Sequence, residues 1–113
     1  MNGPQLQNLL NDLNPAHVEC DGMARLVITR LAEQRIPCKA MLGRVELDGK
    51  SLSPHFWVEA DGCVIDFHAH RQLGDAARLP NGVAPQAEVK ARYEGQPIVI
   101  DPLPDYLFSL LKH

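Results

Sequence analysis

Aromatic side chains are scarce in this chain, with one Trp, two Tyr and three Phe among 113 residues. The core must therefore be built mostly from Leu, Val, Ile and Ala. An excess of positive charge is absent. Eleven Lys and Arg face 14 Asp and Glu, a net charge of −3, which removes the electrostatic footprint of a nucleic-acid-binding protein. No apolar run approaches the roughly 18 residues that a membrane span needs. Met1 to Leu13 lacks the basic start and apolar stretch of a secretion signal. The expectation is a cytoplasmic protein with neither membrane nor nucleic acid as partner. The three cysteines, Cys20, Cys38 and Cys63, lie far apart with no CxxC pair. That disfavours a zinc ribbon or a thioredoxin-type dithiol, and a reducing compartment disfavours a disulfide framework. Repeats, low-complexity tracts and dividing linkers are also lacking. Residues 1–113 read as a single domain, able to bury roughly two-thirds of its unfolded surface.

Local patterns then suggest an order of elements. Residues 4–13 place Leu6, Leu9, Leu10 and Leu13 on one helical face. Asn14-Pro15 punctuates, and a second helix starts there or a few residues later. Cys20, Ala24, Val27, Ile28 and Leu31 form its buried stripe, and Pro37 stops it at about Arg35 or Ile36. Residues 38–47 read as a strand, with Gly43 marking a bulge or a close backbone approach. Asp48-Gly49 is a turn. Residues 54–60 and 63–68 form a hairpin around Asp61-Gly62, a dipeptide suited to a two-residue turn. Residues 71–82 read as loop, 84–94 as a helix, 97–100 as a short strand and Tyr106 to Leu111 as a terminal helix. The expected class is α+β, with N-terminal helices packed on a small antiparallel sheet.

The hairpin has a chemical consequence. With Asp61 and Gly62 in the turn, Ala60 faces Cys63, Trp57 faces Asp66 and His55 faces His68. Side chains two apart share a face, so His55, Trp57 and Asp66 point the same way. His55 and Asp66 become diagonal neighbours about 7–8 Å apart at Cα, within reach of a carboxylate–imidazole hydrogen bond. A one-residue slip would move Asp66 to the other face. Cys20, in the first turn of its helix, gains from the helix dipole and from a nearby imidazolium. Cys20 as nucleophile, His55 as base and Asp66 as the base's orienter are the parts of a thiol-dependent acyl-transfer site. Gly22 leaves room for a substrate carbonyl, and the Cys20 backbone N–H is free for an oxyanion. Asn14 and Gln5 are candidates for the second oxyanion donor, and Trp57 for a core anchor or substrate contact.

These residues resemble a family. Cys20-Asp21-Gly22-Met23-Ala24 looks like the C-x-G-x-A nucleophile segment of transglutaminase-like proteins. Arg35-Ile36-Pro37-Cys38-Lys39-Ala40 matches their R-x-G-I-P-A passage loosely. His55-Phe56-Trp57-Val58-Glu59 is similar to their H-x-W-x-E strand, and Val64-Ile65-Asp66 to the closing V-x-D. The resemblance covers residues 18–68 and departs after Asp66, where Phe67-His68-Ala69-His70 replaces a frequent Pro or Thr. It implies a papain-like (transglutaminase-like) core, a Cys20–His55–Asp66 triad, no cofactor and a protein or peptide substrate. The family's peptidases, deamidases and cross-linking transferases leave the substrate open.

Plainer readings stand beside this one. A lone helical Cys is ordinarily core, and Cys38 and Cys63 read as structural. Glu59 reads as solvated or paired with a surface cation. His55, His68 and His70, sharing a face with Asp66 if the strand continues, offer a zinc-binding alternative. A transglutaminase-like binding module without activity is a third. Neither the substrate nor the oligomeric state is readable from these residues.

Overall fold

A computed structural model describes residues 2–74 and 79–112. Its elements, in order, are α1 (Gly3–Leu10), α2 (Cys20–Glu33), β1 (Lys39–Leu47), β2 (Lys50–Ala60), β3 (Cys63–Asp66), α3 (Ala69–Leu73), β4 (Gly82–Pro85), β5 (Arg92–Ile98) and α4 (Asp105–Lys112). Short 3-10 turns cover Asn11–Leu13 and Gln86–Glu88. The described residues form an α+β domain whose five strands make one antiparallel sheet in the order β4-β3-β2-β1-β5. Among them, no helix is long and apolar enough to cross a membrane.

Each boundary has a local cause. Asn2 and Gln5 close a capping box over the start of α1. Gln5 is thus committed to a cap rather than to an oxyanion. The chain leaves α2 through Arg35 in a left-handed conformation (φ 57°) just before Pro37. Both predicted two-residue turns form. Asp48-Gly49 and Asp61-Gly62 have positive φ at both positions, with Leu47 facing Lys50 and Ala60 facing Cys63.

The sheet is covered on both faces. On one, Val58, Ala60, Cys63 and Ile65 pack with Leu6, Leu10 and Leu13 of the N-terminal segment and Leu26, Val27 and Leu31 of α2. Burying each such Leu contributes about 1.5–3 kcal/mol. Arg30 grips both Asp12 carboxylate oxygens at 2.8 and 3.0 Å and the Leu9 carbonyl at 2.7 Å, fixing the N-terminal segment on α2. The second core, around Met41, Val45, Trp57 and Val64, lies on the other face. Gly43 meets Gly95 on β5, and the β1–β2 register shifts just after it, between Gly43 and Val45. A Cβ on Gly43 would lie 2.0 Å from the Glu94 carbonyl oxygen. The expected bulge and the expected close approach are both present.

Two expectations are corrected. Residues 84–94 are not helical. Gly82–Pro85 pairs with β3, a 3-10 turn follows, and Arg92 begins β5 against β1. The helix-favouring Ala, Gln, Glu and Lys of this stretch yield to two sheet edges that bond its backbone, tertiary context overriding propensity. The short strand at 97–100 is correspondingly the end of β5, with Val99 already 94% exposed. Secondly, β3 stops at Asp66, not at residue 68, because the chain turns there into α3. Of the predicted 71–82 loop, residues 75–78 lie outside the described residues. The terminal helix forms as α4 and buries Phe108.

Candidate active site

The His55 ring is the centre of the arrangement. Ladder pairing of Val58 with Ile65 and Ala60 with Cys63 is the register expected from the turn. It brings His55 Nε2 to 2.7 Å from Asp66 Oδ2. Both side chains are 1% exposed. Trp57 lies one position further along the same face, its ring 6.2 Å from the imidazole and buried beneath the site. The predicted diagonal pair and the predicted anchor therefore form.

Cys20 opens α2. The His55 side chain and the Phe56 backbone N–H are the neighbours that act on its thiol. With Nε2 engaged by Asp66, Nδ1 is the ring nitrogen left for sulfur. The three residues thus lie together, with His55 bonded to the carboxylate and acting on the thiol. Cys20 is half-buried. Its acidity is raised first by the neighbouring His55 imidazole, against burial, so the thiol titrates below its usual range. Burial alone would lower His55, yet the Asp66 hydrogen bond and then the neighbouring Cys20 thiol raise it to about 9. Asp66, which burial alone would raise, is instead held below the ordinary carboxyl range by His55 and its other donors. Both shifts run toward the charged forms, thiolate and imidazolium. Cys38 and Cys63 shift the other way, raised by burial.

Asp66 does more than hold the imidazole. Its Oδ1 accepts the backbone N–H groups of His68 (2.9 Å) and Ala69 (3.1 Å), where the chain turns into α3. Its Oδ2 also accepts the Tyr93 hydroxyl at 2.8 Å. Tyr93, on β5, packs edge-on against Trp57 with ring centroids 5.0 Å apart. Its own ionisation is suppressed by burial and then by the Asp66 charge. Tyr93 is the site residue that sequence reasoning missed. Its only signal was alternation within 92–98, hidden by the apparent helix. Glu59, read as solvated or ion-paired, instead accepts the Trp57 indole N–H at 3.3 Å.

The remaining candidates separate. A narrow pocket beside the thiol is lined by Cys20, Phe56, Trp57, Asp66 and His68, among others. Neither Gly22 nor Asn14 belongs to that lining. A Cβ on Gly22 would meet the Val18 side chain at 3.0 Å. The glycine thus lets the preceding loop pack on α2. Asn14 is held by Arg71, which donates to its Oδ1 (2.5 Å) and backbone carbonyl (3.0 Å). The shared strand face proposed for His68 and His70 does not exist, because both follow the end of β3. Among the described residues, no three His, Cys, Asp or Glu side chains converge to hold a metal ion.

These shifts predict a pH dependence of stability. Asp66, lowered from 3.8, adds stability above that value and loses it as the medium becomes more acid. His55, raised from 6.5 to about 9, adds stability in full below 6.5 and loses it as pH climbs through 9. Cys20, favoured as thiolate, offsets part of the alkaline loss. Melts from pH 3 to 10 are therefore expected to show the largest stability advantage of the native chain over an Asp66→Asn variant between about pH 4 and 6.5, shrinking on both sides. An advantage independent of pH would contradict the ion pair.

Compared with models of known protein families, with curated proteins and with solved structures, the chain matches none.

Proposed function

We propose that this chain is a thiol-dependent acyl-transfer enzyme acting on an amide or peptide bond, built on a papain-like, transglutaminase-like core. The observation that carries this reading is the buried His55–Asp66 hydrogen bond at 2.7 Å beside the Cys20 thiol, whose acidity His55 raises. Cys20 Sγ attacks the carbonyl carbon and the carbonyl π pair moves to oxygen. On collapse the C–N bond breaks, and the leaving nitrogen takes the proton held at His55 Nδ1. Asp66 keeps the other proton on Nε2 and stabilises the charged ring. Water, deprotonated by the now neutral His55, then cleaves the thioester and regenerates the thiolate. Peptidase and deamidase chemistry are the same reaction at different amides, and an amine in place of water would give cross-linking. The substrate is a protein or peptide, and no cofactor is called for. An unpaired acidic thiol survives in reducing surroundings, which fits a cytoplasmic location.

Alkylation tests the nucleophile directly. Iodoacetamide labelling from pH 5 to 9, with adducts located by mass spectrometry, is expected to modify Cys20 below pH 7. Cys38 and Cys63 should stay slow, since burial raises both thiols. Cys20 labelling confined above about pH 8.5, where an ordinary thiol ionises, would sink the proposal.

A further inference from the structure

His68 sits beside this site with a polar atom that nothing satisfies. The residue is 8% exposed, and its Nε2 is buried with no hydrogen-bond partner among the described residues. Its backbone is fixed, since its N–H donates to Asp66 Oδ1, and its side chain lines the narrow pocket that also holds Cys20. Native interiors rarely leave a buried polar atom unpaired, because the desolvation is not recovered, and the exceptions tend to have a functional cause. Burial, and then Arg71, push this imidazole below its usual range, so it is neutral at pH 7 and can carry one N–H.

The start of α2 supplies the other half. Its first helical hydrogen bond runs from the Met23 N–H to the Glu19 carbonyl at 2.9 Å. The N–H groups of Cys20, Asp21 and Gly22 therefore lack intrahelical acceptors, and Glu19 offers no side-chain cap. When Cys20 attacks a carbonyl, negative charge develops on oxygen next to this positive helix end. A second donor from His68, which lines the same narrow pocket as Cys20, would complete a cradle in a water-poor setting, where such donors act most strongly.

We propose that His68 is the second oxyanion donor, its Nε2–H joining the Cys20 backbone N–H to hold the carbonyl oxygen of the tetrahedral intermediate. The inference rests on Cys20 being the acyl-accepting nucleophile. As Sγ bonds to the carbonyl carbon, the π pair becomes the oxyanion that both N–H groups bind. As the pair returns, the bond to the leaving group breaks and the acyl group remains on sulfur. No proton passes through His68.

Two reactions of Cys20 separate the inference from the reading beneath it. Iodoacetamide alkylation needs the thiolate and displaces iodide at a saturated carbon, so no oxyanion forms. Acylation by p-nitrophenyl acetate passes through an oxyanion and releases p-nitrophenolate, which is followed by absorbance. In the full chain, His68→Met is expected to alkylate within twofold of the native rate and with the same pH profile, yet to acylate about 100-fold more slowly. His68→Gln, which restores a side-chain N–H, should recover part of the loss. The Met variant fills the site without an unpaired atom, so its melting temperature should equal or exceed that of the native chain. Acylation of His68→Met at the native rate would overturn the inference alone. So would native Cys20 acylating no faster than a free thiol of equal ionisation, or the Met variant losing alkylation as well. Absence of low-pH alkylation in the native chain would instead remove the nucleophile, and the inference with it.

Discussion

Asp66→Ala is expected to destabilise the protein by about 3–5 kcal/mol, the range seen when one partner of a buried ion pair is deleted. The carboxylate accepts four hydrogen bonds, from the His55 ring, the Tyr93 hydroxyl and the His68 and Ala69 backbone. Its removal leaves an imidazole that is 1% exposed without its anion, a half-buried hydroxyl without an acceptor, and the His68 and Ala69 N–H groups at the turn into α3 without theirs. Urea unfolding measures the cost. Tyr93→Phe supplies the scale, since it withdraws one donor and leaves nothing unpaired, for about 1 kcal/mol. Equal midpoints for native and Asp66→Ala proteins would mean that the carboxylate is not holding this corner together. Asp66→Asn separates the chemical role from the mechanical one. The amide can still accept from the His68 and Ala69 N–H groups. Facing His55 Nε2 with its NH2, it would drive the ring proton to Nδ1, the nitrogen needed to receive the thiol proton. Cys20 alkylation at pH 6 should fall about tenfold or more, with its profile moving toward that of an ordinary thiol.

A methyl group at Gly43 is expected to be nearly as damaging, although it touches no catalytic atom. Its Cβ would lie 2.0 Å from the Glu94 carbonyl oxygen and 2.4 Å from the Gly95 Cα. Both neighbours are backbone, so they can yield only by moving β5 away from β1. Over-packing of this kind costs about 3 kcal/mol, and more where the chain cannot shift. Gly62→Ala is the control, because its Cβ meets nothing within 4 Å and only the positive φ of 73° opposes it, for about 1 kcal/mol. Denaturant midpoints should rank native, Gly62→Ala, then Gly43→Ala. A Gly43→Ala protein as stable as Gly62→Ala would show that β5 is not held closely against β1.

The part of the site that could be read from sequence was the part fixed by short-range rules. Asp61-Gly62 forces a two-residue turn, and the turn alone decides that His55 and Asp66 share a face. The start of α2 at Cys20 was bracketed only loosely, since Glu19 makes no side-chain cap and Asn14-Pro15 offered a competing start. Tyr93 was hidden because its strand is defined by pairing with β1, some fifty residues earlier, while its own neighbours favour a helix. The end of β3 was misplaced for a subtler reason. Val64, Ile65 and Phe67 continue a strand-like run, yet the Asp66 carboxylate bonds N–H groups two and three residues onward and bends the chain there. Aspartate at that offset is a recognisable turn signal, and weighing it would have removed the shared strand face on which the zinc alternative stood.

The Tyr93–Asp66 bond ties the outermost strand to the acid across two intervening strands. Edge strands ordinarily open first in native-state fluctuations, and β5 here has most of its side chains in solvent. Each opening of β5 withdraws a donor from the carboxylate while α2 and the helical core stay closed. The poise of the imidazole therefore follows the breathing of a single peripheral strand. Amide exchange on β5 and the acidity of the Cys20 thiol become two readings of one equilibrium.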